Sequence, residues 1–180
     1  MLRLPTFSAL AMLIAGNAMA FPTTDVPTSD PEYLAKVKTG APEQIVTNAT
    51  ITMKQKDGTT KTLQTGANGF TGMINGDGTP LCADDNGLAW MKSVGAKQDP
   101  PNKIGFIYML AGDTGTNNAA AGMTEHQHWV QTGPHVMIVG PAVKDMPGYS
   151  RAVDVKDPTQ PYSMYPGTAY EHLMLPVTSK

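Results

Sequence analysis

Apolar residues recur at helical spacing in two segments of the chain. Ser29 followed by Glu32 has the form of a capping box, and Gly40 ends the apolar positions that come after it. A second apolar segment begins after a pair of aspartates that can cap a helix, and it ends before a pair of prolines. The pattern therefore predicts two short helices, over residues 30–39 and 84–96.

Short apolar runs between turn-forming residues predict strands in the rest of the chain. The pattern becomes extended from Gln44 onward. The predicted elements are a hairpin turn at Asp57-Gly58, a buried central strand over 104–110, a hairpin between 129–130 and 136–139, and a last strand over 170–175. Together they predict an α+β fold with a mostly antiparallel β-sheet, as a partly closed barrel or a sandwich, carrying two short helices.

The first 20 residues have the order of a secretory signal peptide. Arg3 precedes an apolar run that ends in small residues at Ala18-Met19-Ala20. The run is shorter than the roughly 20 residues that a membrane span needs. We therefore expect cleavage before Phe21, a periplasmic or secreted protein, an extended segment over 21–29, and a single α+β domain over 30–180.

Charge and hydropathy argue against a nucleic-acid partner and against a membrane span after residue 20. Removal of Arg3 with the signal leaves 12 Lys and Arg against 15 Asp and Glu, a formal net charge of −3. A nucleic-acid partner is disfavoured because such proteins present a basic surface to phosphates. No later apolar stretch is long enough to span a membrane, so we expect no stable membrane span in the mature form.

Histidines are concentrated in the final third of the chain, and they are the main candidates for chemistry. If His126 and His128 lie on a strand, they share one face, and the predicted hairpin would bring His135 close to them. His172 on the last strand would supply a further ligand. Such a cluster can form an open site for a transition metal such as copper, zinc or iron. The first hypothesis is therefore an exported metal-binding protein.

An alternative from another class is a metal-free exported ligand-binding or structural module without catalytic activity. In that case each histidine only satisfies a local hydrogen bond. The nine methionines beyond residue 20 are scattered along the chain, which is typical of core filling. The lone Cys82 is buried, metal-bound or paired between chains, and burial is the favoured interpretation. The sequence identifies neither an enzymatic reaction nor a particular small-molecule partner.

Two resemblances add to this interpretation. His126, His128 and the later Pro166-Gly167 and His172 loosely resemble the two metal motifs of cupin barrels, which implies a metal site. The segments 68–71, 105–113, 132–139 and 166–174 resemble a family of uncharacterised exported bacterial proteins. That resemblance draws attention to His135 and His172. It also implies a cysteine at the position of Gly72, which would be a partner for Cys82.

Overall fold

A computed structural model of the chain describes residues 25–177. The predicted signal peptide, the first part of the predicted extended segment and the last three residues lie outside these described residues. Three α-helices, two 3-10 helices and ten strands make up the described part.

The helices begin and end at recognisable local signals. They are α1 (Asp30–Val37), α2 (Glu43–Val46) and α3 (Asp85–Ala96), with 3-10 helices at Lys38–Gly40 and Pro141–Asp145. α3 begins where the carboxylate of Asp84 accepts a hydrogen bond from the backbone N–H of Gly87, and it ends at Lys97 in a left-handed conformation. The predicted helices over 30–39 and 84–96 are therefore confirmed, with boundaries that differ by one or two residues.

Eight of the ten strands form one sheet. The strands are β1 (Thr50–Lys54), β2 (Thr60–Gln64), β3 (Phe70–Ile74), β4 (Pro80–Asp84), β5 (Gly105–Met109), β6 (Thr116–Asn117), β7 (Trp129–Val130), β8 (His135–Val139), β9 (Tyr162–Met164) and β10 (His172–Pro176). The order in the large sheet is β2-β1-β3-β4-β5-β8-β10-β9, and β6 pairs only with β7. The pair β1–β3 is parallel, whereas the other neighbouring pairs are antiparallel.

Helices cover both faces of the sheet. Successive side chains of a strand point to opposite faces, so neighbouring residues of β4 pack against different helices. On β4, Cys82 packs with Val37 of α1 in one apolar cluster. Its neighbours Leu81 and Ala83 pack with Trp90 of α3 in another cluster. The candidate site lies on the face that α3 covers.

Cys82 is fully buried and unpaired, as its favoured interpretation expected. Gly72 lies directly opposite Cys82 in the β3–β4 pair. The position to which the family resemblance assigns a cysteine is therefore the cross-strand neighbour of Cys82.

The prediction that extended structure begins at Gln44 is wrong. Residues 43–46 form the helical turn α2, and the first strand begins at Thr50. The carbonyl of Pro42 accepts hydrogen bonds from the N–H groups of Ile45 and Val46. The fixed φ of proline favours such a helix start, and this local effect outweighs the apolar β-branched pair that follows.

The predicted hairpin between residues 129–130 and 136–139 is also wrong. Strand β7 pairs with β6, and β8 lies between β5 and β10. The residues between β7 and β8 bond to the loop after β5. Thr132 N–H donates to the carboxylate of Asp113, and Asp113 N–H donates to the carbonyl of Thr132. These contacts turn the chain from the small sheet into the large one.

The fold class is confirmed as α+β with a mostly antiparallel sheet. The strand order runs linearly from β2 to β9, so the sheet is not a closed barrel. The strand predicted over 104–110 is β5, which lies near the centre of the sheet as expected. Within residues 25–177, no helix has the length and apolar character needed to cross a membrane.

Candidate functional site

A cavity of about 300 Å³ lies between α3 and the face of the sheet that α3 covers. Its walls combine apolar side chains with a small number of polar ones, which is the usual composition of a ligand site. The lining residues are Asp77, Trp90, Met91, Val94, Met109, Asp113, Gly115, Thr116, His135, Met137, Met164, Tyr165 and His172.

The strand register places both histidines on this face. Ile138 of β8 is opposite Leu173 of β10, so His172 is opposite Val139. Because side chains alternate along β8, Val139, Met137 and His135 all point to the same side as His172. The sheet therefore places two histidines that are far apart in sequence on one face of adjacent strands, four residues apart in the register.

His135 is fully buried at the start of β8. Its Nδ1 lies 2.7 Å from the carbonyl oxygen of Gly133, so Nδ1–H donates to that oxygen. Burial lowers the pKa of His135, and the nearby Asp113 carboxylate opposes part of this shift. The ring is therefore neutral at pH 7, with a lone pair on Nε2.

His172 has the same arrangement at the start of β10. Its Nδ1 donates to the carbonyl oxygen of Tyr170 at 2.9 Å. The ring meets Trp90 and Tyr165 edge-on, with centroid distances of 4.9 and 5.4 Å. The pKa of His172 is lowered to about 4, mainly by burial, and the hydrogen bond to the Tyr170 carbonyl opposes part of this shift.

Asp113 supplies a partly buried carboxylate beside His135. Its Oδ1 accepts hydrogen bonds from the N–H groups of Gly115 and Thr132. Gly115 directly precedes β6, and Thr132 follows β7. Burial raises the pKa of Asp113, whereas His135 and these hydrogen bonds lower it, and the net shift is upward. The carboxylate thus fixes the loops at the cavity and contributes negative charge near His135.

An ion pair between an exposed arginine and a buried glutamate supports the segment that leads into His172. Arg151 Nε lies 2.9 Å from Oε1 of Glu171, which is almost completely buried. The same carboxylate accepts hydrogen bonds from the Ser163 hydroxyl and the Gly167 N–H. These bonds hold the loop between β9 and β10, and so fix the position of His172 next to its Trp90 and Tyr165 neighbours.

Two polar atoms at the cavity lack hydrogen-bond partners. Among the described residues that are not exposed, the buried side-chain nitrogens and oxygens without a partner are Trp90 Nε1 and His135 Nε2. Unpaired buried polar groups cost about 1–3 kcal/mol each and are rare in native proteins. Both residues line the same cavity.

The other two histidines lie elsewhere on the surface. The prediction that they share one strand face is wrong, because they occupy the loop before β7 and His128 has a positive φ. The His126 ring stacks on Trp129 at a centroid distance of 4.3 Å. His128 Nδ1 lies 2.6 Å from an oxygen of Asp154. Neither residue lines the cavity.

Sequence reasoning overlooked the methionines of the cavity. Their spacing in sequence indicated core filling, but Met109, Met137 and Met164 lie on strands β5, β8 and β9 that meet at one face. Only the strand register, which the sequence did not predict, would have grouped them. No sequence motif singles out Trp90 or Asp113 as a member of the site.

Within residues 25–177, no group of three or more His, Cys, Asp or Glu side chains is gathered so as to hold a metal ion. A metal in this cavity would therefore need ligands in addition to the two histidines. Comparison with protein-family models, with curated proteins and with solved structures found no match for this chain.

Proposed function

We propose that the protein binds a transition metal ion in this cavity, through Nε2 of His135 and Nε2 of His172. The observation that carries the proposal is the shared arrangement of the two rings. Each is buried and each uses Nδ1 to donate to a backbone carbonyl. Each ring also lines the same cavity.

This arrangement is the one that metal-binding histidines usually have. A hydrogen bond from one ring nitrogen to a carbonyl fixes the tautomer, orients the ring and leaves the other nitrogen as the ligand. The unpaired Nε2 of His135 further supports the proposal, because a metal ion would satisfy its lone pair. The lowered pKa values of both rings keep these lone pairs free of protons at neutral pH.

Metal analysis of the mature chain tests the proposal. The protein is purified from the periplasm without an affinity tag, and its metal content is measured before and after titration with zinc(II) and copper(II). We expect uptake of about one ion per chain, since the cavity offers one pair of ring nitrogens. The double variant His135→Ala, His172→Ala should bind at least roughly 10- to 100-fold more weakly, because loss of an outer-shell partner alone costs that much.

The matched control is the double variant His126→Ala, His128→Ala, which removes the two surface histidines and leaves the cavity intact. It should bind the metal as the parent does. An equal loss of metal affinity in both double variants would contradict the proposal. A parent chain that takes up no ion would also contradict it.

A metal-free organic ligand is the second candidate, and the unpaired Nε1–H of Trp90 favours it. The indole N–H donates a hydrogen bond and Nε2 of His135 accepts one, so each could bind a polar group of an organic ligand. The cavity volume is at the lower end of small-molecule sites. Mass spectrometry of the native protein distinguishes the candidates: an organic adduct that survives chelation and disappears in Trp90→Phe would favour this second function.

We also propose that the chain is exported, with cleavage before Phe21. The charged, apolar and small-residue regions of the first 20 residues support this proposal. Fractionation of bacterial cells followed by N-terminal sequencing tests it. Mature protein beginning at Phe21 in the periplasm or medium is the expected result, and full-length protein in the cytoplasm would contradict it.

A further inference from the structure

We infer that the cavity binds a small, elongated molecule that carries an ammonium group at one end and a hydrogen-bond acceptor at the other, joined by an apolar body. The inference specifies the ligand class of the second function proposed above, the metal-free organic ligand, and it rests on that function. The positions of polar atoms, of charged groups and of apolar surface around the cavity support it.

The two buried polar atoms that lack a partner among the described residues belong to different parts of the cavity wall. Trp90 Nε1 can only donate a hydrogen bond, and His135 Nε2 accepts one. The Trp90 ring contacts His172, which is opposite Val139, four residues after His135 on β8. At about 3.3 Å per residue, this register separates the two strand positions by about 13 Å. A ligand that satisfies both atoms therefore has an acceptor and a donor several bonds apart.

The donor end of the ligand belongs next to Asp113. This carboxylate accepts a hydrogen bond from Thr132 N–H, and the His135 ring donates to the carbonyl of Gly133, the next residue. One short segment therefore holds the carboxylate and the ring near each other. Burial raises the pKa of Asp113, because its negative charge is only partly compensated there. An ammonium group would donate to His135 Nε2 and supply the compensating charge.

The remaining charge around the cavity also favours a cation. Asp77 lines the cavity and is exposed. Among the described residues that line the cavity, none is a lysine or an arginine. The rings of His135 and His172 are neutral at pH 7, because burial lowers the pKa of each. Two carboxylates without a positive lining side chain attract a cationic ligand and repel an anionic one.

Apolar surface lies between the two polar positions. Met137 is between His135 and Val139 on β8, and Met91 and Val94 of α3 also line the cavity. All three methionine and valine side chains are only partly buried, so a ligand would cover surface that the protein leaves accessible. The cavity of about 300 Å³ is at the lower end of small-molecule sites. The apolar body is therefore no larger than one small ring or a short chain.

Calorimetric titration of the mature chain with three probes of similar shape tests the charge of the ligand. A chelator is present throughout, so that no metal ion contributes. Tyramine has an ammonium group and a phenol hydroxyl at its two ends, 4-ethylphenol lacks the ammonium group, and 4-hydroxyphenylacetate has a carboxylate in its place. Tyramine should bind roughly 10- to 100-fold more tightly than 4-ethylphenol, since hydrogen bonds to charged groups are the strong ones. Equal or tighter binding of the anionic probe would overturn the inference.

The variant Trp90→Phe tests the acceptor end. Phenethylamine is tyramine without the hydroxyl, so the ratio of the two affinities measures what the hydroxyl contributes. This ratio should fall by roughly 3- to 10-fold in Trp90→Phe, because one neutral hydrogen bond is lost. The matched control is Trp129→Phe, which changes an exposed tryptophan that stacks on His126 and does not line the cavity. An unchanged ratio in Trp90→Phe would overturn the assignment of the acceptor end.

The variant Asp113→Asn tests the ammonium end. Asparagine keeps an oxygen that can accept the two backbone N–H groups, so the loop should retain its position. The preference for tyramine over 4-ethylphenol should fall by roughly 10-fold or more, whereas Asp154→Asn on the surface should keep it. An unchanged preference in Asp113→Asn would overturn the assignment of the ammonium end.

Metal titration of the same preparation without chelator separates the two proposals. A parent chain that takes up zinc(II) but binds none of the probes would overturn this inference and leave the metal-binding proposal. A parent chain that binds tyramine in the expected order but takes up no ion would support the inference and contradict the metal-binding proposal.

Discussion

Each buried histidine of the cavity has one nitrogen bonded to the backbone and one nitrogen available to a ligand. At His135 and His172 the bonded atom is Nδ1, and the acceptor in each case is a carbonyl two residues earlier in the chain. These short local bonds position the rings before any ligand binds. The cost of burial is visible in the lowered pKa of both groups.

That pKa shift predicts how the stability of the metal-free protein depends on pH. His172 has a pKa of about 4 when folded against 6.5 when unfolded. Below pH 6.5 the unfolded chain therefore binds a proton that the folded chain does not, and stability falls. The loss from His172 at pH 5 is about 2 kcal/mol relative to neutral pH. Urea unfolding at pH 7.5 and at pH 5 measures it.

The variant His172→Phe isolates this contribution. Phenylalanine keeps an aromatic ring beside Trp90 and Tyr165 but cannot be protonated. The free energy of unfolding of the variant should change less between the two pH values than that of the parent, whereas His126→Ala should retain the parent's dependence. Equal pH dependence in the parent and the phenylalanine variant would show that His172 is not buried as described.

Cys82 gives a second prediction at this scale. Its side chain is fully buried, and burial raises the pKa of the thiol to about 11. Because the thiolate is the reactive form, the native protein should react very slowly with a thiol reagent at pH 8. The same reagent should label one thiol per chain in urea. Rapid labelling under native conditions would contradict the placement of Cys82 in the core.

Of the four histidines that the sequence offered as metal ligands, the structure places two at the candidate cavity and two on the surface. The H-x-H spacing of His126 and His128 has meaning only on a strand, and these residues lie in a loop. The two buried histidines stand alone in sequence, so their proximity depends on strand pairing. Local patterns do not contain that information.

At the scale of elements, turns and caps were the most predictable features. The Asp57-Gly58 turn joins β1 to β2, with Gly58 at positive φ as such a turn requires. Strand pairing was less predictable. Strand β6 has two residues within a polar loop, and no apolar periodicity marked it as the partner of β7. A short polar strand of this kind is fixed by tertiary contacts.

The contact between α3 and β5 yields a prediction about the covered face. A Cβ atom at Gly105 of β5 would overlap the backbone of Asn86 and Gly87 in the first turn of α3. Gly105→Ala should therefore destabilise the protein by about 1–3 kcal/mol or more, since backbone must move. Thermal and urea unfolding of the variant provide the measurement.

Gly95 is the matched control on the same helix. It is exposed, and a Cβ atom there would meet no other atom within 4 Å. Gly95→Ala should stabilise the protein by about 0.5–1 kcal/mol, because alanine favours the helix. Similar effects of the two substitutions would argue against close packing of α3 on β5.

For the molecule as a whole, the α+β class and the central position of β5 follow from the sequence, whereas the cavity does not. Its walls come from α3, from five strands and from the loops around Asp77 and Asp113. Neither the side of the sheet that α3 covers nor the order of the last three strands is visible in the apolar pattern. The candidate site therefore depends on topology more than on any motif.

Long-range ¹H–¹⁵N correlation of the histidine side chains tests the proposed site most directly. In the metal-free protein, His135 and His172 should carry their proton on Nδ1, with Nε2 unprotonated, as their hydrogen bonds require. Addition of one equivalent of zinc(II) should shift both Nε2 resonances and leave His126 and His128 unchanged. Protonated Nε2 in the cavity pair, or shifts confined to the surface pair, would contradict the proposal.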